Sequence, residues 1–138
     1  ERVYEYKIIN RLGSLSLDQN RAWHIKSKLD LKLLRSGAKI LEGRHDFSTF
    51  RSSSCSAKSP IKKMRSVKVK KSGDEIFITF KSKSFLQNQV RSMIGCLKYI
   101  GEGKWSIQKF EKIIKSKKRI NCAPPAPAEG LYLTKVIY

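Results

Sequence analysis

The sequence predicts an α+β domain: an antiparallel sheet with helices on one face, in the order β-α-β-β-α-α-β. Three observations lead there. Three short segments alternate in period two, the mark of half-buried strands. Three other windows space apolar residues three and four apart, each after a capping residue. Hydrophobic residues make up 40% of the 138, enough for one core at this length and too many for a disordered chain.

The first strand runs from Arg2 to Asn10, where Tyr4, Tyr6 and Ile8 alternate with Val3, Glu5 and Lys7. A polar connection through Gly13 and Ser14 follows. Asp30 caps a helix with Leu31, Leu34, Ala38 and Leu41 on one face and Gly43 as its stop. The stretch GRHDFSTFRSSSCSAKSP (43–60) reads as a loop. Val67 and Val69 then alternate with Lys68 and Lys70, Ser72-Gly73-Asp74 reverses the chain, and Ile76, Ile78 and Phe80 alternate with Phe77 and Thr79, which makes a hairpin. Ser84 caps a second helix with a stripe of Leu86, Val90, Met93, Ile94 and Leu97, ended by Gly101 and Gly103. Ser106 caps a third, with Phe110, Ile113 and Ile114 inward and Lys115, Lys117, Lys118 and Arg119 favourably placed at its negative end. Prolines exclude Ala123-Pro124-Pro125-Ala126-Pro127 from regular structure, so it is a stiff extended connection before a last strand, Leu131 to Tyr138.

Charge narrows the function. Lys and Arg total 30 against 11 Asp and Glu, a net charge of +19 spread along the chain. Between Phe47 and Gly73 stand Arg51, Lys58, Lys62, Lys63, Arg65, Lys68, Lys70 and Lys71 with no acidic residue. A folded surface with that much uncompensated charge repels itself unless a polyanion meets it, and nucleic acid is the obvious one. No apolar run is long enough for a membrane-spanning helix, and no signal-peptide pattern opens the chain. Cys55, Cys96 and Cys122 are odd in number and share no CxxC spacing, which argues against a disulfide framework or a zinc site and for a reducing, cytoplasmic setting. The chain starts at Glu1, directly before a strand, and is expected to be a piece of a longer protein.

Few residues carry the patterns of catalysis. In the second helix Gln87, Asn88, Arg91 and Gly95 fall on one face opposite the apolar stripe. A glycine there costs about 1 kcal/mol relative to alanine, which suits a close approach by another backbone or a ligand. Arg91 is the only charge between Lys83 and Lys98, either a specific anion partner or a solvated arginine. His24 and His45 have no partner at metal-ligand spacing and read as surface or cap residues. Asp46 reads as a turn or cap residue, and the cysteines as small buried hydrophobes. Tyr4 and Tyr6 share one strand face, as core residues or as stacking platforms for a base. Residues alone reach a nucleic-acid-binding α+β domain.

Four segments in order and in register go further. GRHDFSTFR (43–51), Ser59-Pro60 with the basic cluster after it, FLQNQVRSMIG (85–95) and APAEGLYLTKV (126–136) resemble the C-terminal half of the tRNA pseudouridine synthase A family, and RVYEY (2–6) resembles the strand that opens that half. The resemblance covers essentially the whole chain. It implies that residues 1–138 are the C-terminal domain of an isomerase that converts uridine to pseudouridine in the anticodon stem–loop of tRNA, as a homodimer without metal or cofactor. It implies that Tyr4 packs against the target base, and that Arg91 pairs with a catalytic aspartate. That nucleophile belongs to an Arg-x-Asp-x-Gly-Val motif in the N-terminal half. Asp18, Asp30, Asp46 and Asp74 all have the wrong neighbours for it. Gln87-Asn88 stand where the family often has His-His, keeping the polar character without imidazole. With Arg51, Lys58, Lys62, Lys63 and Arg65 these two form the expected RNA-binding set. The rival is a non-catalytic basic RNA-binding protein, such as a ribosome-associated factor. The missing motif predicts that this chain alone, incubated with unmodified tRNA, makes no pseudouridine above background. Product formed without an added N-terminal half would overturn the fragment reading.

Overall fold

A computed structural model describes residues 1–13, 21–52 and 59–137. Ser14, Asp18, Cys55, Lys58 and Tyr138, all named above, lie outside the described residues. The chain forms β1 (Arg2–Asn10), β2 (Trp23–Ile25), α1 (Leu31–Leu41), β3 (Gly43–Asp46), β4 (Ile61–Ser72), β5 (Glu75–Ser82), α2 (Gln89–Gly101), α3 (Ile107–Ser116) and β6 (Leu131–Val136). The α+β class and the relative order of the expected elements hold. Two short strands join them. β3 occupies the start of the expected loop and pairs antiparallel with Ile61–Met64 of β4, and β2 pairs with the end of β1. The β1–β2 pair is parallel, so the six-stranded sheet is mixed and not purely antiparallel.

β1 is the organising strand. One edge pairs with β5 from Arg2 to Ile9. The other edge is shared: Arg2–Tyr6 pairs with β6 and Ile8–Asn10 with β2. Alternation sets the faces. Tyr6, Ile8, Val67, Val69, Ile76, Ile78 and Phe80 turn into the core, while Lys68 and Lys70 stay outside. Past Met64 the outer edge of β4 has no strand beside it among the described residues, and side chains bond to it instead. Val67 N–H donates to a Glu42 carboxylate oxygen at 2.9 Å, and Arg35 donates to the Val69 carbonyl at 3.3 Å. Such cover lowers the tendency of an open edge to recruit another chain.

The helices close the core. Asp30 caps α1 as expected, accepting from the Lys32 and Leu33 amides, and Leu34, Gly37, Ala38 and Leu41 are buried. Ser106 caps α3, whose Phe110, Ile113 and Ile114 are buried. Phe50 joins the two regions, with ring centroids 6.2 Å from Phe47 and 6.3 Å from Phe110. Thr49, fully buried, donates its hydroxyl to the Ile113 carbonyl at 2.9 Å, satisfying the end of α3.

α2 departs from expectation. It begins at Gln89 and not after Ser84, because Gln87 and Asn88 make a turn in which Asn88 is left-handed at φ 62°. Gln89 locks that turn, with its side-chain oxygen accepting from the Leu86 amide at 2.8 Å. The helix has no polar face: Gln89, Val90, Ser92 through Leu97, Ile100 and Gly101 are all buried. One side is covered by the proline-rich segment. A Cβ on Gly95 would lie 2.1 Å from the Pro124 carbonyl oxygen, so the mid-helix glycine admits a crossing backbone. Gly95→Ala therefore gains about 1 kcal/mol of helix propensity and loses more to a backbone collision that no rotamer relieves. Gly37→Ala meets only the Leu97 and Ile100 side-chain ends, at 2.8 and 3.1 Å, which can give. Chemical denaturation should show Gly95→Ala the weaker by about 1 to 3 kcal/mol. Equal stability of the two variants would show that the segment does not rest on α2.

Candidate active-site wall and nucleic-acid interface

Two adjoining concavities hold most of the residues that the sequence singled out. The first, of about 190 Å³, is lined by Arg2, Tyr4, Phe85, Gln87, Asn88, Arg91 and Leu131 among others. It lies where β1, β6 and the turn before α2 converge. Tyr4 and Tyr6 do share a strand face, yet their settings differ. Tyr6 is fully buried and donates its hydroxyl to the Pro127 carbonyl at 2.5 Å. Burial pushes its phenol well above the usual range, against the opposing charge of Arg91, so the hydroxyl remains a donor at every physiological pH. Tyr4, one step nearer the cavity, is half-buried and packs edge-on against Phe85 with centroids 4.9 Å apart.

Arg91 is held at one nitrogen. Its Nε donates to the Ala126 carbonyl at 2.7 Å, and the Ala126 amide donates back to the Arg91 carbonyl at 2.9 Å. No carboxylate among the described residues pairs with the guanidinium. A neutral carbonyl orients the group without neutralising it, so the two Nη atoms can meet an anion as a fork. The isolated arginine thus borders a cavity, although the polar helix face expected around it does not exist. Gln87 and Asn88 reach the cavity from the preceding turn, and Gly95 faces Pro124 instead.

The second concavity, of about 590 Å³, is lined by Glu1, Arg44, Ile61, Lys62, Lys63, Arg65, Ser82, Lys83 and Ser84. Its five cations come from β3, β4 and the exit of β5. Sequence patterns pointed to Lys62, Lys63 and Arg65 and missed Arg44 and Lys83. Arg65 differs from the others: it pairs with Glu1 at 2.9 Å, and its hydrogen bond holds the Glu1 carboxyl below its ordinary range. Arg51 lies apart, at the end of the turn after Phe47, where its carbonyl accepts from Arg119.

The remaining candidates take structural places. His24 bonds the Arg11 carbonyl and His45 the Glu42 carbonyl, at 2.9 and 2.8 Å. Asp46 accepts from the Ser48 amide at 2.9 Å as a turn residue, and that bond with the charge of Lys117 holds its carboxyl low against the opposing effect of burial. Among the described residues no cluster of His, Cys, Asp and Glu could hold a metal ion, and no helix is long and apolar enough to cross a membrane.

Residues 38–138 match a family model described as tRNA pseudouridine synthase. The chain is 62% identical over 138 residues to tRNA pseudouridine synthase A of Pelagibacter ubique, covering all of this chain and 56% of that protein. It is 49% identical over its full length to the protein of the same name from Xanthobacter autotrophicus, again over 56% of it. With that of Paramagnetospirillum magneticum it shares 48% identity over 137 residues, 99% of this chain and 54% of the relative. The chain thus spans about half the length of the curated relatives it matches. The basic concavity makes its own prediction. Changing Lys62, Lys63 and Lys83 together to alanine should reduce the log–log salt slope of binding to a structured RNA by about 2 to 3, at roughly 0.7 to 0.9 for each phosphate no longer neutralised. Filter binding from low to moderate salt reads the slope, and an unchanged value would place these lysines away from RNA.

Proposed function

Because the chain belongs to the tRNA pseudouridine synthase family, we propose that it is the C-terminal half of an enzyme that isomerises uridine to pseudouridine in the anticodon stem–loop of tRNA. The observation that carries this reading is the convergence of Tyr4 and Arg91 on one cavity beside a five-cation concavity. Tyr4, steadied by Phe85, forms a flat apolar wall against which the target base packs. Arg91, aimed by the Ala126 carbonyl, pairs through its Nη atoms with a carboxylate brought by the other half of the protein. A positive partner at that place keeps the aspartate ionised and oriented for attack on the uridine. The detached base then needs a confined space in which to turn before it rejoins through carbon. Gln87 and Asn88 offer amide groups to it in place of imidazoles, and Lys62, Lys63, Arg44 and Lys83 track the phosphates that lead into the cavity. Arg51, apart from both concavities, and Lys58, outside the described residues, belong to the RNA-binding set through their charge. We assign the enzyme to the cytoplasm, working without metal or cofactor as a homodimer with tRNA across both subunits. The rival, a non-catalytic basic RNA-binding protein, is disfavoured by the family match over most of the chain.

Arg91 tests the reading in the full-length protein. Arg91→Ala should lower single-turnover pseudouridine formation by about 100-fold or more while tRNA affinity changes little, since the interaction acts in the transition state. Arg91→Lys should recover only part of the rate, because an ammonium is no fork. Lys112→Ala, the same charge change on the exposed side of α3, serves as the control. Release of tritium from C5-labelled uridine follows the reaction, and filter binding follows affinity. If binding weakens as much as chemistry slows, Arg91 is an ordinary phosphate contact. If neither changes, its role in the site is wrong.

A further inference from the structure

Cys96 and Cys122 have no part in the proposed reaction, yet their sulfur atoms lie 3.6 Å apart. Cys96 is fully buried on α2. Cys122 is half-buried, outside any helix or strand, at the start of the segment that crosses Gly95. Arg119, three residues before it, donates to the Ser92 hydroxyl at 2.7 Å, and the Cys122 sulfur lies 3.8 Å from the Ser92 carbonyl oxygen. A buried thiol in contact with a more accessible one, beside a fixed cation, is the arrangement of a reactive cysteine and its resolving partner.

We propose that Cys96 and Cys122 are a peroxide-sensitive pair that closes reversibly to a disulfide and clamps the Ala123–Pro127 segment onto α2. Cys122 reacts first, being the more accessible. The hydrogen bond from Cys96 and the charge of Arg119 hold its thiol below the ordinary range, while the same contact and burial push Cys96 up. The Cys122 thiolate attacks one oxygen of hydrogen peroxide. An S–O bond forms, the O–O bond breaks, and the departing hydroxide takes up a proton to leave as water. The Cys96 sulfur then attacks the Cys122 sulfenic acid. The S–S bond forms, the S–O bond breaks, and that oxygen leaves as a second water with the remaining protons. Two thiols and one peroxide thus become one disulfide and two waters. The sulfurs must close from 3.6 Å to about 2 Å, a movement available to Cys122 because no ladder holds its backbone. The cross-link would tie down the segment whose Ala126 carbonyl aims Arg91 and whose Pro127 carbonyl holds Tyr6.

The full-length protein is treated with hydrogen peroxide, its free thiols are blocked with N-ethylmaleimide, and it is digested without reductant. A peptide joining Cys96 to Cys122, two hydrogens lighter than the sum of its parts and released by dithiothreitol, is expected. It should be absent from Cys122→Ser and Cys96→Ser. Thermal melts of wild-type protein give a readout that does not depend on the variants folding: the oxidised form should melt several degrees higher and return on reduction. Cys122 accumulating as sulfinic acid, a bridge to Cys55 in place of Cys96, or no cross-link at peroxide levels that oxidise Cys122 would each overturn the proposal.

Discussion

Pro124 can lie across α2 only because residue 95 has no side chain, and much of the molecule hangs on that crossing. It sets the path of the chain from Cys122 to Pro127, a path already stiffened by three prolines. On that path Ala126 exchanges two hydrogen bonds with Arg91, and Pro127 accepts from Tyr6. The next residues are equally constrained. A Cβ on Gly130 would stand 2.7 Å from the Tyr6 ring and 2.8 Å from the Lys7 carbonyl oxygen, so β6 meets β1 at a second point of backbone contact. Two glycines, one on a helix and one at a strand entry, thus fix where β6 joins the sheet and where the guanidinium of Arg91 points.

What could be read from the sequence was what depends on neighbours in the chain. Asp30 and Ser106 as caps, Gly73 at the hairpin turn and the proline-rich connection are all local matters, and each stands as expected. β2 and β3 escaped because they are three and four residues long, too short for alternation to show, and exist only by pairing with distant strands. α2 was misread for a different reason. A helix buried almost all round shows its faces less clearly than the other two, so Gln87 and Asn88 read as part of it when they form the turn before it. A glycine that tolerated a close neighbour was visible; that the neighbour would be Pro124 was not.

The site divides the same way. Arg91 stood out by its isolation and Tyr4 by its strand face, and both border one cavity. Arg2 and Leu131 complete that cavity through pairing between the two ends of the chain, and Phe85 through its edge-on packing against Tyr4; no local pattern announces either. Charge counting named Lys62 and Lys63 but gave no sign that Arg44, on the unseen β3, and Lys83, at the exit of β5, would join them. Arg65, counted as uncompensated, meets Glu1, which is distant in sequence and adjacent in space. Uncompensated charge in a stretch of sequence is a statement about that stretch, and folding can bring the compensation from elsewhere.

The pairing of β1 with β6 has a consequence for how the molecule is made. Val3 and Lys135 are partners, so the first of these strands to leave the ribosome finds half of its outer edge only when the last has emerged. Until then β1 can be held by β5 and β2, and α2 can pack on the sheet with its Gly95 side bare. Such long-range closures are slow because the entropy of a large loop is lost before any contact repays it. Arg91 is therefore synthesised and positioned on its helix well before the carbonyl that aims it arrives. Until that carbonyl is in place, no other hydrogen bond among the described residues holds the Arg91 guanidinium.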